Sequence, residues 1–527
     1  MVSRVKASMI SVALLVCGVT LSGCNTFTDV VAQGVSNVAK EIKAAGDSTK
    51  SPSDSTKTKP DTTTKTPPAA TDTTGVTQQG NPTGSASAPT TPYSVKSPHW
   101  SHIRVHVSDY RIQYQSDANV RATEYAWSAA HFDDVTLDAD DKTSVAAYHL
   151  ANPTVSVVRY ALNWSVIKPG QQNENVATSY TQHMSQWYAA HPQYTLENAF
   201  LHDGSQCPAG TAATPNCRLT IHIWTQDRWV VNPGDAGLRA YQASRLAQYM
   251  GDADGLFLDE HGSGDMSDQL GNKNVREYPS FTNYQNDIVG ELSSIQSALG
   301  SSKKIMINTA EYTSSWDAAM QNAVTGADLE LFNNPTNNSM ESRWSFIDAQ
   351  LAKGRVLQME SGGTLPASFN AGNSASAADR QRLWQLASYY LVVPSNSANL
   401  QFGIHDAWNT AFSTQWLKAI EMNIGSPSGA RAVVASGTDA SGSSYKVWGR
   451  DFGSALVMVR PSGNGSSFGD ATKASLTLPT NDRYLPLHAD GTVGAPVTSV
   501  ELRASEAVVL LKQSRFPSLQ SAPNRVP

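Results

Sequence analysis

After Trp100, short apolar runs alternate with longer amphipathic stretches along the chain. Eight of the runs predict strands, over Ile103–Ser108, Asp134–Leu137, Val155–Tyr160, Gly255–Asp259, Lys304–Asn308, Leu329–Phe332, Val356–Met359 and Leu400–Ile404. Helical spacing of apolar residues predicts helices over Phe281–Leu299, Ser314–Val324, Glu341–Lys353 and Ala377–Leu391. Alternating strands and helices are typical of a parallel sheet.

This pattern matches a (β/α)₈ TIM barrel that carries insertions. The largest insertion extends from Asn163 to about Ala240. A doubly wound open sheet is the alternative, but that fold usually has a glycine-rich turn after its first strand, and none follows Ser108 here. Beyond Arg431, short strands divided by Gly, Ser and Asn turns predict a small antiparallel β-sandwich.

The N-terminus has the pattern of a secretory signal. Arg4 and Lys6 precede an apolar run that is shorter than the ~20 residues needed to cross a bilayer. The sequence Leu-Ser-Gly-Cys at positions 21–24 resembles the lipobox of bacterial lipoproteins. The resemblance implies cleavage before Cys24 and lipidation of its thiol, with an ordinary signal peptide cut nearby as the alternative.

From Ser48 to about Pro98 the composition is Ser, Thr, Pro, Lys and Asp, which cannot bury enough apolar surface to fold. The 527 residues are too many for one compact core. The predicted division is a signal peptide (1–23), a lipid-anchored disordered tether (24–98), the barrel (99–428), the β-sandwich (429–515) and a tail (516–527).

Cysteine content and charge restrict the location and the partners. Cys207 and Cys217 flank a stretch rich in Pro, Gly and Asn, and an exported compartment favours a disulfide between them. A net charge of -6, with no basic block after the first residues, argues against nucleic acid as a partner. We expect a monomer in the cell envelope, periplasmic or surface-facing, attached to the membrane only by its lipid.

Candidate site residues follow from the ends of the predicted strands, where α/β barrels carry their catalytic groups. Strands four to eight place there Asp259, Glu260, Asn308, Glu311, Glu330, Glu360, His405 and Asp406. An acid at a strand end is usually a solvated loop residue, but Glu330 stands between two leucines. Alternation points its side chain into the barrel mouth, unless it forms a buried ion pair with Arg159.

Paired carboxylates across a barrel mouth are what cleavage of a glycosidic bond requires. Aromatic residues near the same rim suit the faces of sugar rings, and the candidates are Trp164, Trp224, Trp229 and Trp408. No HExxH occurs, and consecutive acids alternate in direction, so no metal or other cofactor is predicted. One G-x-S-x-G, at 465–469, lies in a turn between β-strands and is interpreted as a loop.

The segments "DGLFLDE", "KIMINTAEY" and "ADLELFNN" resemble those of bacterial glycoside hydrolase barrels, closest to the hypothetical glycosyl hydrolase family 15. The resemblance covers residues 100 to 512 and implies that Asp259 and Glu330 are the catalytic acids. We therefore expect an exported glycoside hydrolase that acts on a polysaccharide or glycoconjugate, with the other rim residues binding sugar. The alternatives are a non-catalytic carbohydrate-binding barrel and a polysaccharide deacetylase or lyase.

Overall fold

The structure is a computed structural model, which describes residues 102–110, 112–139, 141, 143–170, 174–223, 225–310, 312–330, 340–361, 377–395, 398–404, 416–461 and 472–518. The predicted signal peptide, Cys24 and the predicted tether are among the residues that the structure does not describe. No helix in the described ranges is long and apolar enough to cross a membrane.

A closed parallel barrel forms the main part of the fold. The strands of this region are β1 (Val105–Asp109), β2 (Asp134–Leu137), β3 (Ser156–Ala161), β4 (Ser165–Ile167), β5 (Thr220–Ile223), β6 (Gln226–Val230), β7 (Gly255–Leu258), β8 (Lys304–Asn308), β9 (Gly326–Leu329), β10 (Val356–Ser361) and β11 (Leu400–Ile404). The barrel closes in the order β1-β11-β10-β9-β8-β7-β3-β2. This closure confirms the predicted (β/α)₈ barrel, and the open-sheet alternative is wrong.

Helices surround the barrel. They are α1 (Ala118–His131), α2 (Ser144–Ala151), α3 (Glu174–Ala190), α4 (Ala236–Met250), α5 (Ser263–Leu270), α6 (Phe281–Leu299), α7 (Ser315–Ala323), α8 (Met340–Ala352) and α9 (Ala377–Val392). Outward-facing strand residues such as Leu256, Leu258 and Ile307 are fully buried in the main core beneath these helices. The bounds predicted for β2, β8, β11 and α6 are confirmed.

One predicted strand is displaced. The run Leu329–Phe332 was expected to be the sixth barrel strand, but β9 spans Gly326–Leu329 and Glu330 follows its end. The strand begins at a glycine and contains Asp328, two residue types that are depleted in strands. Asp328 is nevertheless buried, because alternation points it into the barrel.

The base of the barrel interior is filled by a charged layer. Lys304 and Arg104 form ion pairs with Asp134, and Asp134 also accepts a hydrogen bond from Gln401. Gln358 donates in turn to Gln401 at 2.9 Å. Burial alone would raise the pKa of Asp134, but the charges of Lys304 and Arg104 lower it below its usual value. This end of the barrel is therefore closed by paired side chains.

The insertion after β3 folds into its own small sheet, in the order β4-β6-β5. The predicted disulfide is confirmed, since Cys207 and Cys217 are bonded with their Cα atoms 6.0 Å apart. Nearby, the buried His202 donates through Nδ1 to Glu277 at 2.6 Å and through Nε2 to Glu197 at 3.0 Å. Arg218 also binds Glu197, which joins the disulfide loop to the rest of the insertion.

The His202 cluster should make the insertion sensitive to alkali. Burial lowers the pKa of His202, but hydrogen bonds to Glu197 and Glu277 raise it to about 9. The folded chain then holds a proton that the unfolded chain releases near pH 6.5, so this stabilisation is complete below pH 6.5 and is lost as the pH rises to 9. Thermal unfolding should show a loss of up to about 3 kcal/mol over that interval. His202→Gln should remove this contribution, so its stability should fall less steeply than that of the wild type between pH 6.5 and 9. An equal slope in both proteins would contradict the prediction.

The C-terminal region is antiparallel. Its strands are β12 (Ala432–Thr438), β13 (Ser444–Asp451), β14 (Ala455–Arg460), β15 (Ala474–Thr477), β16 (Tyr484–Pro486), β17 (Ser499–Leu502) and β18 (Glu506–Lys512). They form a five-stranded sheet, β12-β13-β14-β18-β16, and a pair, β15-β17. Arg431 binds Asp348 of α8, and Arg450 donates to carbonyls at the end of α9. The predicted β domain is confirmed, and these contacts attach it to the barrel helices.

Candidate active site

Three predicted residues meet at the mouth of the barrel. Asp259 directly follows β7, Asn308 is the last residue of β8, and Glu330 directly follows β9. The Asn308 amide Nδ2 donates to Asp259 Oδ1 at 2.8 Å and to Glu330 Oε2 at 2.6 Å. These two carboxylate oxygens are therefore at most about 5.4 Å apart. This upper limit is compatible with the ~5–5.5 Å between the carboxyls of retaining glycosidases and is shorter than the ~6.5–9.5 Å of inverting ones.

Both oxygens of Asp259 are held by further donors. The Tyr160 hydroxyl donates to Oδ2 at 2.8 Å, and the backbone N–H of Glu260 donates to Oδ1 at 2.8 Å. Burial, followed by the charge of Asp259, raises the pKa of Tyr160 well above its usual value, so the phenol stays protonated as a donor. Tyr160 was not among the predicted site residues, although it ends the third predicted strand and alternation points it inward.

Two more carboxyls lie beneath this pair. Glu360 is only 2% exposed, and its Oε1 accepts a hydrogen bond from Ser108 at 2.9 Å, with His106 Nδ1 4.0 Å away. Burial and the charges of Glu360 and Glu330 raise the pKa of Asp328 well above its usual value. We infer that the buried carboxyls of Asp328 and Glu360 share a proton, because two buried carboxylates in contact cannot both ionise.

The electrostatics of the mouth favour a developing positive charge. Asp259 and Glu330 are partly exposed, whereas Asp328 and Glu360 are buried below them. An anionic mouth stabilises a cationic, oxocarbenium-like transition state. Among the described residues, no group of three or more His, Cys, Asp or Glu side chains is arranged so that it could hold a metal ion.

Glu260 has an unusual backbone. Its φ of 61° lies in the left-handed region, which is unfavourable by about 1–2 kcal/mol for a residue with a side chain. Its carboxylate Oε2 accepts from Arg228 NH1 at 2.6 Å, and both side chains are largely buried. Arg228 also donates to Gln226 at 3.1 Å. Glu260 is thus engaged by the insertion, whereas the sequence analysis assigned it to substrate binding.

His261 does not share the acid chemistry of its neighbours. Its ring is fully buried, and Nδ1 lies 3.0 Å from the backbone oxygen of Asp259. Burial lowers the pKa of His261 to about 4, so the ring is neutral at physiological pH. The backbone N–H of His261 donates to the backbone carbonyl oxygen of Asn308 at 2.8 Å. This hydrogen bond connects the loop after β7 to the end of β8.

Several predictions for the rim need correction. Trp164 is completely buried, because it packs in the main core, and it cannot stack on a sugar. Trp229 is half-buried against Phe200 and the Arg218 guanidinium inside the insertion, and its part in sugar binding stays a prediction. The burial of Glu360 likewise excludes direct sugar contact in this conformation. The predicted Trp224, Glu311, His405, Asp406 and Trp408 lie outside the described residues.

The proposed ion pair of Glu330 with Arg159 is absent among the described contacts of Arg159. The Arg159 guanidinium donates to the backbone oxygens of Tyr249 and Ala139, on the outer face of β3. Glu330 instead contacts Asn308 inside the mouth. Its inward orientation agrees with the alternation argument, even though the predicted strand bounds were displaced.

No protein-family model matches the chain, and no curated protein matches it either. Among solved structures, it resembles a GH27 β-L-arabinopyranosidase from Geobacillus stearothermophilus, with a TM-score of 0.42 and 11% identity over 79% of this chain and 97% of that one. It also resembles an α-amylase from Lactobacillus plantarum (TM-score 0.42, 9% identity, 77% and 98% covered). A third similar structure is the glycoside hydrolase domain of PelA from Pseudomonas aeruginosa, with a TM-score of 0.33 and 11% identity over 58% of this chain and 95% of that one. At such low similarity, activity has to be inferred from the site itself.

Proposed function

We propose that this chain is a glycoside hydrolase whose catalytic pair is Asp259 and Glu330. The observation that carries the proposal is the Asn308 amide, which holds one oxygen of each carboxylate at the mouth of a closed barrel. A carboxylate pair at this separation suits a retaining mechanism. The substrate would be a polysaccharide or glycoconjugate.

In the proposed first step, Asp259 attacks the anomeric carbon while the glycosidic C–O bond breaks. Glu330 transfers its proton to the leaving oxygen, so the departing sugar leaves as an alcohol. In the second step Glu330 takes a proton from water, and the resulting hydroxide displaces Asp259 from the anomeric carbon. Tyr160 and Asn308 orient Asp259 throughout, because each donates to one of its oxygens.

The proposal is tested by assaying hydrolysis of polysaccharides and by measuring the anomeric configuration of the product. The protein should release reducing ends from at least one member of a panel of neutral, acidic and amino-sugar polysaccharides. ¹H NMR of the fresh product should show the anomeric configuration of the substrate. Inversion would contradict the two-step mechanism. Binding to a polysaccharide without any cleavage would favour the carbohydrate-binding alternative.

We also propose that the enzyme is exported and anchored to the bacterial envelope by a lipid on Cys24, with residues up to about 98 serving as a tether. The charged start, the short apolar run and the small residues before Cys24 support this proposal. Cys24→Ala should move the protein from the membrane fraction to the soluble envelope fraction. Unchanged membrane association of that variant would exclude lipid anchoring.

A further inference from the structure

We propose that Arg228 is a positioning residue for Asp259 and that it acts through Glu260. The inference rests on the proposed function, because it concerns the carboxylate assigned there as the nucleophile. It gives the insertion a part in catalysis: the insertion fixes the orientation of a group that belongs to the barrel.

The connection consists of two short contacts. Arg228 NH1 donates to Glu260 Oε2 at 2.6 Å, and the Glu260 N–H donates to Asp259 Oδ1 at 2.8 Å. Arg228 lies on β6, the middle strand of the insertion sheet. Gln226, on the same face of β6, accepts from Arg228 NH2 at 3.1 Å and fixes the guanidinium from the other side. The guanidinium is therefore held by a rigid element.

The unfavourable backbone conformation of Glu260 explains why the ion pair with Arg228 matters. Glu260 has a φ of 61°, which a glutamate does not favour, and its N–H donates to the carboxylate of the preceding residue. The backbone N–H groups of residues 259 and 261 are each fixed by a hydrogen bond, so φ of Glu260 can relax only if ψ of Asp259 turns in the opposite sense, and that rotation turns the Glu260 N–H away from the carboxylate. The buried pair with Arg228 supplies the attraction that keeps residue 260 there. Without the pair, the backbone is free to relax, and Asp259 then loses one of its three donors.

Two substitutions at residue 260 separate this role from others. Glu260→Gln removes the charge pair and keeps the strain, so kcat should fall about 10–100-fold with KM nearly unchanged, as expected for a misplaced nucleophile. Glu260→Gly also removes the pair, but glycine adopts positive φ without penalty. Its kcat should therefore fall less, by about 3-fold.

Arg228→Met tests the second half of the connection. It should resemble Glu260→Gln in the otherwise unchanged protein and add no further loss of kcat in Glu260→Gly, because both residues act through one contact. Arg218→Met serves as the matched control, since Arg218 forms an ion pair with Glu197 in the same insertion but has no contact with residue 260 in the described structure. It should lower the melting temperature without changing kcat.

A second readout needs no substrate. Labelling by a water-soluble carbodiimide with glycinamide, followed by peptide mass spectrometry, reports how firmly the Asp259 carboxylate is held. Labelling should rise several-fold in Glu260→Gln and stay near the wild-type level in Glu260→Gly. If this pattern appears but the wild-type protein cleaves no glycoside, the proposed function fails and the positioning role stands.

Three results would overturn the inference. Equal inactivity of the Gln and Gly variants would make the Glu260 carboxylate itself essential to the reaction. Equal kcat in both variants and the wild type, with only melting temperatures changed, would make the pair purely structural. Unchanged Asp259 labelling in Glu260→Gln, in a protein that hydrolyses glycosides, would show that the Arg228 pair does not hold the carboxylate.

Discussion

Asp259→Asn should lower glycoside hydrolysis by about three orders of magnitude or more while the chain stays folded. An amide cannot attack the anomeric carbon, yet it has the shape of the carboxylate. The substitution also removes one negative charge beside Glu330, Asp328 and Glu360, which relieves repulsion in the cluster. The melting temperature should therefore be unchanged or slightly raised, as measured by calorimetry beside initial-rate assays.

The matched control for this substitution is Asp138→Asn. Asp138 directly follows β2 on the same rim and accepts hydrogen bonds from Gln113 and Tyr114 at 2.7 and 2.8 Å. It has no described contact with the Asp259 cluster, so its variant should keep full activity. If Asp259→Asn retained even a tenth of the wild-type rate, Asp259 would not be the nucleophile, and the pair would have to be reassigned.

Glu330→Gln should produce a loss that depends on the leaving group. The sugar hydroxyl released from a natural glycoside is a poor leaving group and needs a proton, so hydrolysis of natural glycosides should fall about 10²–10⁴-fold. The acidic phenol of an activated aryl glycoside leaves as a phenolate without protonation. The glycosyl-enzyme should therefore form from this substrate nearly as fast as in the wild type. Rapid kinetics should show a burst of phenol followed by slow turnover, because the variant has lost its base for the second step.

One result would contradict the assignment of Glu330 as the general acid. Equal losses on natural and aryl glycosides would mean that Glu330 binds sugar or holds Asn308 and does not transfer a proton. Asp328 would then be the next candidate source of the proton, since its buried carboxyl has the raised pKa that a general acid needs. A buried acid could act only through Glu330 or Glu360, and Asp328→Asn would reveal that dependence.

The sequence sufficed for the architecture and for part of the site. Alternation and strand ends brought Asp259, Asn308 and Glu330 together correctly, because in a parallel barrel the ends of neighbouring strands are neighbours in space. The same rule could have found Tyr160, which ends the third predicted strand and points inward. A tyrosine at a strand end has no charge and is common in barrel cores, so the pattern alone does not mark it as a site residue.

Other features depend on tertiary packing that no local pattern records. Trp164 follows β3 and has the pattern of a sugar platform, yet the insertion and helices bury it completely. The contact between Arg228 and Glu260 joins residues 32 positions apart through a fold of the insertion. The left-handed backbone of Glu260 could not be anticipated either, because nothing in "LDEHG" marks a glutamate for positive φ.

The charged layer of Lys304, Asp134 and Arg104 at the base of the barrel restricts the route by which substrate and protons reach the site. These side chains are almost completely buried, so the barrel axis is blocked at the end remote from Asp259. A sugar chain cannot thread through the barrel. Under the proposed function, substrate must arrive and both products must depart on the side of the strand ends, where Asp259 and Glu330 lie. The protons exchanged by Asp328 and Glu360 must use that same entrance, so a bound polymer would isolate the cluster from solvent during each turnover.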